Sequence, residues 1–226
     1  MEKIQKEEPL HDKVYSIMKN NLLNGYFYPR EKIVESKIAQ ELGVSRSPVR
    51  ESIRRLVQED FLIQEGGHIY SIEFNKQDFI DVYQCRRVLE MTATELAVDN
   101  ISKEELQELK EVIDLTEDAI NSGKEEEVVQ SNTSFHHIIV SASGNKTLVQ
   151  ILESLSWKIK YYRNIIIKYY HTQNNELLIK RKHNYVVEHR KIYEAINNRD
   201  SELAKKLMEQ HINAGIQSTL DFIEKP

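Results

Sequence analysis

The chain has 226 residues, a formal net charge of -5 and a 40% hydrophobic share, so it can bury a real core in one large or two modest domains and is no disordered tail. Seven glycines and four prolines against 30% charged residues make a helix-rich composition. The charged start MEKIQKEEPLHDK has no apolar centre and no stretch approaches the ~20 apolar residues of a membrane span, so the expectation is a cytoplasmic, mainly α protein with no membrane partner.

In chain order, helical patterns run from Leu10 to Asn24, Glu35 to Leu42 and Arg46 to Gln58. Strand signals are confined to YFYPREKIV before the third helix and to FLIQ and HIYSI after it, the last two flanking Glu65, Gly66 and Gly67 as a hairpin. Phe74 to Lys76 reads as a linker. Cys85, alone in the chain, cannot form an internal disulfide and sits among apolar neighbours, which predicts a buried, inert thiol. From about Gln77 the pattern is helical to the end, broken at Asn100 to Lys103, Asn121 to Lys124, Ser143 to Asn145, His171 to Asn175 and Asn197 to Asp200. That predicts about six helices, with Gly144 ending one helix, Asn145 capping the next and Asp200 capping the last. The domains are therefore expected at residues 1–74 and 75–226.

The stretch GVSRSPVRESIRRL, residues 43–56, gathers four arginines in an acidic protein. Gly43 can end the second helix in the left-handed conformation, Ser45 is an N-cap residue, and Pro48 falls in the first turn, where a missing N–H costs no intrahelical bond. Val49, Ile53 and Leu56 then face inward, while Arg46, Arg50 and Arg54 share a neighbouring stripe. A helix fits the B-DNA major groove, and arginine pairs with guanine or clamps phosphate. Ser45 and Ser47 can bond phosphate at the helix start, Gly66 and Gly67 let a wing approach the backbone, and Lys37 and His68 are further candidates. Arg55, on the far side, reads as a solvated residue.

Residues 10–72 resemble the winged helix-turn-helix of the GntR family of bacterial transcription regulators. The likeness is carried by Gly25, Pro29, Ile38-Ala39, the run Leu42 to Arg46, Pro48 to Glu51, Leu56 and the Gly66-Gly67 wing. Members usually have glycine after that proline; here it is Arg30, a departure expected to touch only the turn. The resemblance implies a homodimer with two recognition helices on a palindromic double-stranded operator.

In the helical half, Asn132 and His136 lie four residues apart on one helix, and His189 and His211 lie on two later ones. Three imidazoles and a carboxamide from three helices can converge in a bundle on a divalent ion, although spacing alone also permits ordinary core histidines. Residues 76–222 resemble the effector domain of the FadR subfamily, the FCD group, a six- or seven-helix bundle, through Arg86, Leu89 and Glu90, Phe135 and His136, Ser143 to Asn145, His189, Ile192, Asp200, Ala204 and His211. That group holds a divalent metal with three histidines and an aspartate. Here the aspartate position is Asn132, so the resemblance implies a Zn, Ni or Mn site at Asn132, His136, His189 and His211 whose cation charge is uncompensated and which favours a small carboxylate effector.

Arg86 matches an arginine near the family's ligand pocket and is the second anchor for that carboxylate. Tyr162 and Arg163, in WKIKYYRNIIIKYYH, are candidates for lining the effector cavity, although the run reads more simply as core or dimer contacts. The implied function is a ligand-responsive repressor. Two alternatives stand beside it: a direct metal sensor, and a metal-dependent hydrolase. The hydrolase needs a general base, and Glu188, the sole neighbour in sequence, is expected to point off the ligand face.

Overall fold

The computed structural model describes residues 9–73, 75–165 and 175–224, and these divide into two compact units. The first holds α1 (Leu10–Leu23), β1 (Lys32–Ile33), α2 (Glu35–Glu41), α3 (Arg46–Gln58), β2 (Leu62–Glu65) and β3 (His68–Ser71). Gly43 takes φ 64, which ends α2 and turns the chain into α3. Ser45 is extended as an N-cap residue should be, but its side chain makes no cap hydrogen bond, contrary to expectation; Pro48 in the first turn leaves one orphan donor fewer to satisfy. Val49, Ile53 and Leu56 are buried along one face of α3, and Ser52 Oγ donates to His11 O at 2.8 Å, tying α3 to α1.

The three strands form an antiparallel sheet in the order β1-β3-β2. Leu62 pairs with Ser71 and Glu65 with His68, so Gly66 and Gly67 make a two-residue hairpin turn. Both have positive φ, 56 and 77, as strand twist demands of such a turn. The strand signal before α2 shrinks to two residues because Pro29 and Arg30 turn the chain, with Arg30 at φ 66. Arg30 also reaches further than the turn: its guanidinium pairs with Glu65 at 2.8 Å and lies over the Tyr70 ring, both in the wing. Phe74, the first residue of the expected linker, lies outside the described residues.

The second unit contains six helices among the described residues: α4 (Lys76–Asn100), α5 (Lys103–Asn121), α6 (Glu125–Ala142), α7 (Lys146–Ile165), α8 (Asn175–Asn197) and α9 (Ser201–Glu224). Their starts are written in the caps. Leu148 N donates to Asn145 Oδ1 at 3.1 Å and Leu203 N to Asp200 Oδ1 at 3.0 Å, while Ser102 and Glu105 form a reciprocal capping box at α5. The core gathers Ala97, Leu109, Ile113, Phe135, Ile192 and Met208 from α4, α5, α6, α8 and α9. The break expected from His171 lies outside the described residues.

Two expectations are corrected here. Cys85 is exposed, because its apolar neighbours in sequence lie on other faces of α4. The end of α7, residues 160–165, groups with the first unit, where Tyr161 Oη donates to Ile72 O at 2.6 Å and Asn164 Nδ2 to Leu23 O at 2.7 Å. None of the helices among the described residues is long and apolar enough to cross a membrane.

Candidate functional site

In the first unit Ser45, Arg46, Ser47, Arg50 and Arg54 are all exposed along α3 or just before it. Arg46 and Arg54 make no ion pair among the described residues, so their charge is available to a phosphate or a base. Arg50 is engaged: its Nε and terminal nitrogen donate to Glu35 Oε2 at 3.2 and 3.1 Å, linking α3 to the first residue of α2. Glu35 raises the Arg50 pKa, chiefly through that hydrogen bond. Lys37 sits 3.9 Å from Glu41, and His68 is exposed at the wing tip beside Gly66 and Gly67. Arg55 pairs with Glu59 at 2.9 Å and Asp12 at 3.3 Å and stacks over Tyr15, away from the stripe of Arg46, Arg50 and Arg54.

In the second unit His136 of α6, His189 of α8 and His211 of α9 are buried and converge. His136 Nε2 lies 3.2 Å from His211 Nε2, and His189 Nε2 lies 3.4 Å from the same atom. Each helix places one imidazole, and Phe135 fixes the His189 ring by stacking at 3.7 Å. The opposite nitrogens are as telling. His136 Nδ1 is 2.6 Å from Glu90 Oε2, and His211 Nδ1 is 2.7 Å from Glu188 Oε2. A ring nitrogen facing a carboxylate carries the proton, which leaves the lone pair on Nε2.

His136 and His211 thus turn two lone pairs toward each other, and His189 can supply one proton at most. Its own Nδ1 is buried without a hydrogen-bond partner among the described residues. Three converging nitrogen acceptors in a buried site are a donor set for a divalent cation. The charge states agree. Burial lowers the His136 pKa to about 4, with Arg86 acting in the same direction and outweighing Glu90 together with it. Burial also pushes His189 well down and lowers His211. Burial opposes ionisation of Glu90 and Glu188, but Arg86 with His136, and His211 with Arg181, hold both carboxyls below their ordinary range. Neutral imidazoles and ionised carboxylates are what metal ligation requires.

Asn132 is half-buried one turn before His136. His137, the next residue along α6, is exposed and hydrogen-bonded to Ser141 Oγ at 2.8 Å. Arg86 is largely but not fully enclosed, with Nε donating to Glu90 Oε1 at 2.6 Å, so part of its donor set is already committed. Tyr162 and Arg163 are not assembled with the histidines within one unit, since both lie in the end of α7 that groups with the first unit. Glu188 does not point off the site as expected: although adjacent to His189, it reaches the far nitrogen of His211. Sequence reasoning also passed over Glu90 as a contact and Arg181, which donates to Glu188 Oε1 at 2.7 Å. The signals for the first were its place among the residues that carry the FCD resemblance and its spacing of one helical turn from Arg86.

Residues 10–68 match the pattern of the bacterial regulatory proteins of the gntR family, and residues 81–214, more than half of the chain, match the FCD domain. YdhC, an HTH-type transcriptional regulator of Bacillus subtilis (strain 168), is 33% identical over 225 residues, which cover 99% of this chain and 96% of YdhC. The chain belongs to the GntR family. It is a GntR transcriptional regulator of the FCD-containing FadR subfamily, and not an enzyme. The GntR regulator McbR/YncC of Escherichia coli has the same fold, with a TM-score of 0.75 at 22% identity over 96% of this chain and all of that one. The metal-free FCD domain of TM0439 matches at a TM-score of 0.55 and 24% identity, over 68% of this chain and 99% of that one.

Proposed function

We propose that this GntR regulator is a ligand-responsive repressor in which residues 1–74 read a palindromic operator as a homodimer and residues 75–226 sense a small carboxylate at a metal centre. The observation that carries the sensing half is the convergence of three buried Nε2 atoms, two of them on rings whose Nδ1 faces a carboxylate. His136, His189 and His211 would hold a divalent cation such as Zn, Ni or Mn, with Asn132, one turn before His136, as the candidate oxygen ligand. When bound, the cation supplies a positive charge that can take a carboxylate into its remaining positions. Arg86 stands by as a second, partly committed anchor. In the reading half, Arg46, Arg50 and Arg54 with Ser45, Ser47 and Lys37 face DNA from the helices, and Gly66, Gly67 and His68 from the wing.

The test is a titration of metal-stripped protein with Zn, Ni and Mn, followed by operator binding with and without a panel of small carboxylic acids. The expected result is metal binding that His136→Ala abolishes, and operator release that needs both metal and acid. Release by metal alone would assign the protein as a direct metal sensor. Absence of metal binding would remove the sensing half of the proposal.

A further inference from the structure

Behind the histidines stand two chains of the same design. Arg86 Nε donates to Glu90 Oε1 at 2.6 Å, and Glu90 Oε2 meets His136 Nδ1 at 2.6 Å. Arg181 donates to Glu188 Oε1 at 2.7 Å, and Glu188 Oε2 meets His211 Nδ1 at 2.7 Å. Each carboxylate has one oxygen on an arginine and the other on an imidazole, so its rotation is fixed at both ends. The side chains of Arg86, Glu90 and Arg181 are nearly inaccessible, while that of Glu188 is 27% exposed. His189, the third ring, has no such partner among the described residues and is held by stacking on Phe135 instead.

We infer that Glu90 and Glu188 are the positioning residues of the metal centre, each held by an arginine and gripping, from one hydrogen bond behind the ligands, an imidazole that would face the cation. This rests on the metal reading above and sharpens it. With no carboxylate touching the cation, the inner ligands are neutral; the two outer carboxylates orient His136 and His211, fix the proton on Nδ1 and raise the basicity of Nε2. The arginines balance those carboxylates, because two ionised glutamates beside neutral imidazoles would otherwise be costly to bury. An inner set of neutral donors leaves the full attraction of the cation for an anionic ligand, whereas an aspartate at position 132 would spend part of it.

Two measurements test this separately from the metal reading. In the metal-free full-length protein, nitrogen NMR of the imidazoles should show His136 and His211 protonated at Nδ1 and bare at Nε2; protonation at Nε2 of both rings would overturn the inference whether or not metal binds. Cobalt titration, read by visible absorbance and by chelator competition, should show Glu90→Gln and Glu188→Gln each weakening binding by about 10- to 100-fold. Glu188→Gln, at the partly exposed carboxylate, carries this arm if Glu90→Gln fails to fold. Wild-type affinity and spectrum in a folded Glu188→Gln would sink the inference while leaving the metal centre in place. Failure of the wild type to bind cobalt, zinc or nickel would remove both.

Discussion

Arg46 and Arg50 lie one turn apart on α3, yet the structure treats them differently. Arg46 is exposed with no ion pair among the described residues, and Arg50 is clamped by Glu35. An unclamped arginine can turn to a base or a phosphate at no cost in broken pairs, while a clamped one arrives pre-oriented. Replacing Arg46 with Ala is expected to cost about 1 to 3 kcal/mol of operator affinity if it meets a base, or to flatten the salt dependence by about one unit of slope if it meets phosphate. Fluorescence anisotropy across a salt series distinguishes the two, and no change in either quantity would remove α3 as the reading helix. Glu35→Gln releases Arg50, and should reduce discrimination between operator and random DNA if the clamp orients a base contact.

Arg30 poses a different question at the same scale. Its φ of 66 suits glycine, and its pair with Glu65 is between partly exposed groups. Strain and pair oppose each other, and glycine adds unfolded-state entropy. Arg30→Gly is therefore expected to change the unfolding free energy by no more than about 1 kcal/mol, and a larger loss in denaturant melts would show that the wing depends on this guanidinium.

At the scale of elements, local chemistry made most boundaries legible. Gly43, Gly144, Asn145 and Asp200 mark turns and caps through their own backbone or side chain, so the starts and stops of α2, α3, α6, α7 and α9 could be read from single residues. Asp200→Ala should accordingly lower stability by about 1 kcal/mol in thermal melts, and Leu56→Ala, fully buried in α3, by about 2 to 5 kcal/mol. What could not be read is contact between distant segments. Glu90 meets His136 across 46 residues and Glu188 meets His211 across 23, and no period or motif signals either. The three histidines that converge could be singled out by resemblance, whereas the contacts of the carboxylates behind them could not, because they join segments far apart in the chain. The grouping of Tyr162 and Arg163 with the first unit was equally beyond the sequence, because a helical period does not say which unit the end of a 20-residue helix belongs to.

The contact between α1 and the end of α3 carries a pH dependence. Tyr15 and Lys19 both reach Glu59, and with Arg55 they lower its pKa against the opposing effect of burial. A carboxyl depressed in the folded state contributes stability above its unfolded pKa and loses it as pH falls through the folded value. Stability from this group should be constant above about pH 5 and decline below roughly pH 4.5. The group is partly exposed, so the loss stays under about 1 kcal/mol. Glu59→Gln should lower stability at pH 7 and make the fall between pH 5 and pH 3 shallower, and an unchanged slope would show that the cluster does not act on Glu59.

For the whole molecule, the proposed sensing and operator binding are linked through one set of equilibria. A ligand that binds the histidine centre and weakens operator binding by some factor is itself bound more weakly by the DNA-bound protein, by the same factor. This holds whatever the path between the two units. It makes a strict prediction for the ternary system: a tenfold loss of operator affinity on adding acid to the metal-loaded protein corresponds to about 1.4 kcal/mol, and the acid's dissociation constant for that metal-loaded protein must then rise tenfold in the presence of saturating operator. Calorimetric titration of the acid into metal-loaded protein, with and without operator duplex, measures that factor directly. Unequal factors would mean that the acid also binds at a second place or that the protein changes its oligomeric state between the two experiments, and analytical ultracentrifugation of the same samples separates these. Equal factors, lost together in His136→Ala, would establish that the histidine centre is the input to the reading helix.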